Sequence, residues 1–368
     1  MDKVLLFSMI ALVIYGSFNI YLATKGRAND LPPFNYVRRQ LAWFVFSLII
    51  LYFVIVIDYK EIFRYVPIFY WGSVVLLISV WIPHVGVKVN GATGWIRLPG
   101  IPQLQPAEVA KFAIILMIAK ALDDMDYEIN NIKNIFKIFV WAMIPVGLIL
   151  AQPDMGMTMV CFFIVLGMLF IAGLDRRIIG GGSLALFLAI VVLWNSGFIL
   201  PYQKGRILSF MSSDAEDSAN GYQVNQSIIG IGSGGLWGSR PSINPNVVPG
   251  YSGTHVPEVQ TDFIFSAIGE QWGLIGAIIL LFLYGVLISR MIAIARNTKD
   301  RQASVVCIGL VSYFLFAITE NIGMTIKIMP TTGITLPLIS YGGSSLLTTI
   351  VAIGLVLNIG MRKKKIHF

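Results

Sequence analysis

The residues best placed to do chemistry lie where polar, glycine-rich loops meet apolar runs, and Asp262 is the foremost of them. In 256–273, VPEVQTDFIFSAIGEQWG, a long polar loop gives way to an apolar segment, with Asp262 between Gln260-Thr261 and Phe263-Ile264-Phe265. A charge at membrane depth costs roughly 2.5–3.5 kcal/mol at a helix centre and less near its end, so an acid retained there marks a functional site. A half-desolvated carboxylate in that position suits general-base work. Glu258, four residues earlier, and Glu270, eight later, share a face with it if the segment is one continuous helix. Glu258 follows Pro257 and also suits the first turn of a helix, where an acid favours the helix dipole.

Further polar groups occupy other loops. Lys88, Trp95 and Arg97 fall within ten residues. Trp95 suits a membrane-interface anchor, and Arg97 suits either bidentate phosphate recognition or snorkelling to the interface. Beyond Pro106, Glu108 and Lys111 stand three apart on one helical face, where they can pair as structural glue or line a cavity. Asp154, after Pro153, suits a helix cap between two spans. The stretch 220–238, with Gln226 and a run of glycines, is preceded by no strand and followed by no Lys-Ser/Thr, so a nucleotide loop is excluded in favour of a flexible, partly inserted re-entrant segment. The acidic stretch 212–218 reads as a solvated tip. Residues 331–345, TTGITLPLISYGGSS, make a polar entry into the last apolar run; they carry Ser340 and Tyr341, and their small residues also suit close helix packing.

The elements that must position these groups are membrane helices. Of the 368 residues 56% are apolar and 12% charged, and mean hydropathy is +0.77, which excludes a soluble protein. Ten apolar segments follow one another: 4–24, 40–57, 65–83, 107–122, 135–151, 155–173, 178–197, 263–289, 303–325 and 339–361. The first is read as an uncleaved helix. The expectation is an all-α, polytopic integral membrane protein of about ten transmembrane helices, with a long extracytoplasmic loop, about 198–262, between helices 7 and 8. The net charge of +8 does not point to nucleic acid, because the basic residues sit at the ends of apolar runs. With both termini in the cytoplasm, Lys60, Arg64, Lys133, Lys137, Arg176, Arg177, Arg290, Arg296 and 362–365 fall on the inner side; Lys25, Arg27, Arg38 and Arg39 run against that rule. The polar loops then emerge outside and fold down into the bundle. Cys161 and Cys307 each lie in an apolar run and indicate neither disulfide nor metal site. No internal repeat is visible.

Six stretches carry a resemblance: NGATGWI at 90–96, QPAEVAK at 105–111, QPDMG at 152–156, NQSIIGIGSGGLWG at 225–238, 256–273 as quoted above, and TGITLPLISYGGSS at 332–345. In this order, over essentially the whole chain, they resemble the SEDS family of shape, elongation, division and sporulation proteins. ENIGM at 320–324 resembles its RodA branch, while Lys327 stands where a smaller residue is expected. The resemblance implies one membrane domain over 1–368 and peptidoglycan glycosyltransferase activity on lipid II, working with a class B penicillin-binding protein in cell elongation and shape. It makes Asp262 the catalytic residue, and Trp95, Arg97, Glu108, Lys111, Gln226, Ser340 and Tyr341 substrate-binding residues. The expected reaction is a single inverting displacement in which Asp262 takes the proton of an acceptor hydroxyl and undecaprenyl pyrophosphate leaves. No cofactor is firmly implied, and no metal constellation is visible; a divalent cation, Mg or Mn, would have to be held partly by the substrate's phosphates. The rival readings are a lipid II transporter and a scaffold without activity that recruits the penicillin-binding protein.

Overall fold

The computed structural model describes residues 1–25, 33–89, 92–97, 103–195, 204–205, 219–239 and 250–362. Arg27, Asn90, Gly91, Arg206, the stretch 212–218, Arg240 and residues 363–365 lie outside the described residues.

Each apolar segment of the sequence falls on a helix. The helices are α1 (Lys3–Thr24), α2 (Pro33–Val56), α3 (Tyr59–Arg64), α4 (Val66–Ser79), α5 (Pro106–Asp123), α6 (Ile132–Ala151), α7 (Met155–Ala172) and α8 (Arg176–Asn195). They continue with α9 (Ala219–Gly234), α10 (Tyr251–His255), α11 (Ile264–Asn297), α12 (Arg301–Thr325) and α13 (Gly343–Met361). Polar residues just outside the apolar runs start several of them. Side-chain oxygens of Asp2, Asp58, Asn131, Asp154 and Asp300 accept the N–H of Leu5, Lys60, Lys133, Met157 and Ala303 at 3.0–3.1 Å, each cap worth about 1 kcal/mol. Past the end of α12, Lys327 adopts left-handed backbone (φ 59°) beside the helix C-terminus, where a cation is favoured.

Among the described residues seven helices are long and apolar enough to cross a membrane: α1, α2, α6, α7, α11, α12 and α13. Large apolar side chains such as Phe7, Phe53, Phe136 and Phe282 point outward, as a lipid surrounding requires. The protein is an all-α polytopic integral membrane protein. Cys161 and Cys307 are buried, free thiols. Nearly all of α5 is buried, packed by α4, α6, α7 and α12.

Two features depart from expectation. The loop around Trp95 is an antiparallel hairpin of β1 (Gly86–Val89) and β2 (Ala92–Ile96), with Val87 paired to Trp95 and Ile96 bridged to Leu104. The glycine-rich stretch expected to be flexible is the helix α9, packed on α11. Its glycines serve close approach: a Cβ on Gly234 would stand 2.0 Å from the Gly269 carbonyl oxygen. The two helices meet where α11 kinks at Gly273 (φ 61°, ψ −158°). The broken ladder is filled from α9's end, with Leu274 and Ile275 N–H donating to Gly235 and Leu236 and the Glu270 carbonyl accepting from Ser239 N–H. Gly234→Ala is therefore expected to cost about 1–3 kcal/mol of overpacking and to lower the melting temperature in detergent. Gly232→Ala, with nothing within 4 Å of its new Cβ, is the control; equal melting of the two variants contradicts this packing.

Candidate active site

Asp262 does not lie on a helix continuous with Glu258, because α11 begins only at Ile264. Residues 257–263 form tight turns instead. Glu258 has left-handed backbone (φ 50°), and its carbonyl accepts the N–H of Thr261, Asp262 and Phe263 at 3.1–3.4 Å. The expected dipole role of Glu258 and the shared face with Glu270 are thus both corrected. Glu270 is buried and turned away, its carboxylate accepting the backbone N–H of Tyr251 and Ser252 and so capping α10 from another helix.

Partly exposed, Asp262 opens onto a cavity of about 240 Å³. Facing walls come from far apart in the chain: Trp95 from β2, Glu108 and Lys111 from α5, Asp154 from the turn before α7, Tyr313 from α12, and Thr332 to Thr335 with Tyr341 from the loop before α13. The Lys111 ammonium pairs with Glu108 at 2.5 Å and lies 3.9 Å from the centre of the Tyr313 ring, while Thr348 Oγ1 donates to Glu108 at 3.1 Å. Asp154 caps α7 as expected and also accepts Gln105 Nε2 at 3.2 Å on the cavity wall. Among the described residues, four carboxylates (Glu108, Asp154, Glu258, Asp262) and one ammonium (Lys111) line the space. Among the described residues no three His, Cys, Asp or Glu side chains converge to hold a metal ion.

Of the residues singled out from sequence, Trp95, Glu108, Lys111, Asp262 and Tyr341 line this cavity. Arg97 stands exposed two residues beyond Trp95, where the Gln103 side-chain oxygen, in its better orientation, accepts from the guanidinium. Gln226 is one helix away and accepts the Tyr251 hydroxyl. Ser340 sits behind the wall: its hydroxyl accepts Leu336 N–H at 2.9 Å and donates to the Thr261 carbonyl at 2.5 Å. Tyr313, Gln105 and Asn321 were not anticipated as site residues. Gln105 and Asn321 stood in quoted motifs, 105–111 and 320–324, without being assigned a role; Tyr313 sits inside an apolar run with no local mark.

The helices and the embedded charged cavity define a class, a polytopic membrane protein with a polar site walled in part by its loops. A family model described as "Cell cycle protein", covering FtsW, RodA and SpoVE, matches residues 2–365, and the chain belongs to that family. It is 33% identical over 362 residues to a probable peptidoglycan glycosyltransferase FtsW of Trichlorobacter lovleyi, covering 97% of this chain and 92% of that one. It is 32% identical over 370 residues to the peptidoglycan glycosyltransferase MrdB of Escherichia coli K12, covering 99% and 94%. Among solved structures, a chain of a peptidoglycan synthase complex that coordinates polymerization and crosslinking superposes with a TM-score of 0.81 at 31% identity, covering 99% of this chain and 98% of that chain. Thermus thermophilus rod shape determining protein RodA gives 0.72 at 29% identity, with the same coverage.

Proposed function

We propose that the protein is a peptidoglycan glycosyltransferase that polymerises lipid II on the outer face of the cytoplasmic membrane, acting in cell elongation with a class B penicillin-binding protein. The observation that carries this reading is Asp262 on the wall of a membrane-embedded cavity shared with Glu108, Lys111 and Trp95. The names of the relatives supply the reaction class, and the synthase complex supplies the kind of partner. Asp262 takes the proton of the acceptor sugar hydroxyl, which attacks the anomeric carbon of the lipid-linked chain. Undecaprenyl pyrophosphate leaves with inversion. Lys111 within the cavity, and Arg97 and Lys88 on the hairpin, supply positive charge for the leaving diphosphate. With four carboxylates against one ammonium, a divalent cation held jointly with the substrate's phosphates suits the same space.

The end of the bundle remote from Asp262 supports this orientation. Asp2 pairs there with Arg290 at 2.6 Å, Arg362 with Asp58 at 3.1 Å, and Tyr59 donates to Asp300 at 3.1 Å. These contacts gather both chain ends beside a concentration of Lys and Arg, which suits a cytoplasmic side.

Purified protein, its partner and lipid II in detergent are expected to yield glycan polymers. If none form even with the cognate partner and Mg or Mn, while reconstituted vesicles move lipid II across the bilayer, the transporter reading replaces this one.

A further inference from the structure

Three consecutive backbone carbonyls ahead of α11 are each held by a donor from elsewhere in the fold. Tyr341 N–H donates to the Gln260 carbonyl at 2.8 Å, Ser340 Oγ to Thr261 at 2.5 Å, and Asn321 Nδ2 to Asp262 at 2.8 Å. The turn before α11 gives these carbonyls no helical partner, so each takes its donor from another part of the chain.

Asn321 does more than satisfy one of them. Fully buried on α12, it uses its second Nδ2 hydrogen on the Ile334 carbonyl at 2.7 Å. Its Oδ1 is buried and makes no hydrogen bond among the described residues, so the side chain's contacts are those of its amide hydrogens. The neighbouring Glu320, also buried, accepts Thr332 Oγ1 at 2.5 Å. One turn of α12 thus grips both the Asp262 segment and the 332–334 wall. Between them, a Cβ added to Gly333 (φ 76°) would stand 3.4 Å from Asp262 Oδ2.

We infer that Asn321 is a positioning residue that fixes Asp262 against the 332–335 wall of the cavity by tying the two backbones together through one amide. This rests on the reading of Asp262 as the base. A base must reach its proton at hydrogen-bond distance, and a shift of about 1 Å can cost about 100-fold in rate. Asn321 is not among the described residues that line the cavity, so the effect is expected on turnover and not on substrate affinity.

The test is steady-state lipid II polymerisation by the full chain with its partner, comparing wild type, Asn321→Leu, Asn321→Gln and Asp262→Asn. Leucine has the same reach and no donors; kcat is expected to fall about 10- to 100-fold with KM within about twofold. Glutamine keeps both donors one methylene further out and is expected to give an intermediate kcat at unchanged KM. Should the leucine variant not fold, the glutamine variant decides by the same split. Wild-type kcat in the folded variants overturns the inference, as does a loss confined to KM. An active Asp262→Asn overturns the underlying reading instead, so the two failures are distinguishable.

Discussion

Asp262→Asn is expected to lower lipid II polymerisation by about 10²- to 10⁴-fold, the range one positioned general base contributes, while leaving the melting temperature in detergent close to wild type. The two halves of this expectation have separate causes. Asparagine has the shape of aspartate and keeps the backbone carbonyl that accepts from Asn321. The side chain is partly exposed on the cavity, so the substitution changes a group at the cavity surface and not one sealed in the core. The carboxamide cannot take a proton from a sugar hydroxyl, so the chemical step loses its base. Initial rates with purified lipid II, measured beside thermal unfolding, separate the effects. Activity near wild type in the folded variant would exclude Asp262 as the base, and a parallel collapse of melting would make it a structural residue.

The sequence carried the fold at the level of hydrophobic runs and lost it at the level of backbone turns. All ten apolar segments fall on helices because lipid demands a continuous apolar, internally hydrogen-bonded stretch, and that demand is written residue by residue. The hairpin around Trp95 was legible in principle: Asn90-Gly91 between short alternating runs is a hairpin-turn signal, masked by the reading of the stretch as an outer loop. In α9 the glycines suggested looseness, yet Gly230 and Gly234 permit tight approach of a helix to Ser252 and Gly269. The acids near Asp262 misled for a different reason. Helical spacing of Glu258, Asp262 and Glu270 presumed a regular backbone, and the left-handed turn at Glu258 removes it. Asp262, Glu108 and Lys111 were visible because charges in apolar runs are expensive. Asn321 and Tyr313 carry no formal charge, and their roles depend on contacts 59 and 13 residues away in sequence for Asn321 and across to α5 for Tyr313.

The Glu108–Lys111 pair decides whether paired charges in α5 are glue or machinery. Both side chains are 95% buried, and each needs the other. Glu108→Gln removes the carboxylate and strands the Lys111 ammonium against the Tyr313 ring alone, a loss of about 3–5 kcal/mol when a buried pair is broken on one side. A marked fall in melting temperature is expected. Replacing both, Glu108→Gln with Lys111→Met, removes the stranded charge at similar volume, so stability is expected to return to near wild type. Polymerisation separates the two roles in this stable double variant. As glue alone, the pair would be dispensable once the apolar substitute packs, and activity would return with stability. As the one ammonium among the described residues lining the cavity, Lys111 leaves a gap that methionine cannot fill, because the leaving diphosphate then faces Asp154, Glu258 and Asp262 without it. The expected result is a folded double variant whose turnover stays at least about 100-fold below wild type; recovery of turnover would assign the pair to packing and leave the diphosphate's charge to the hairpin cations.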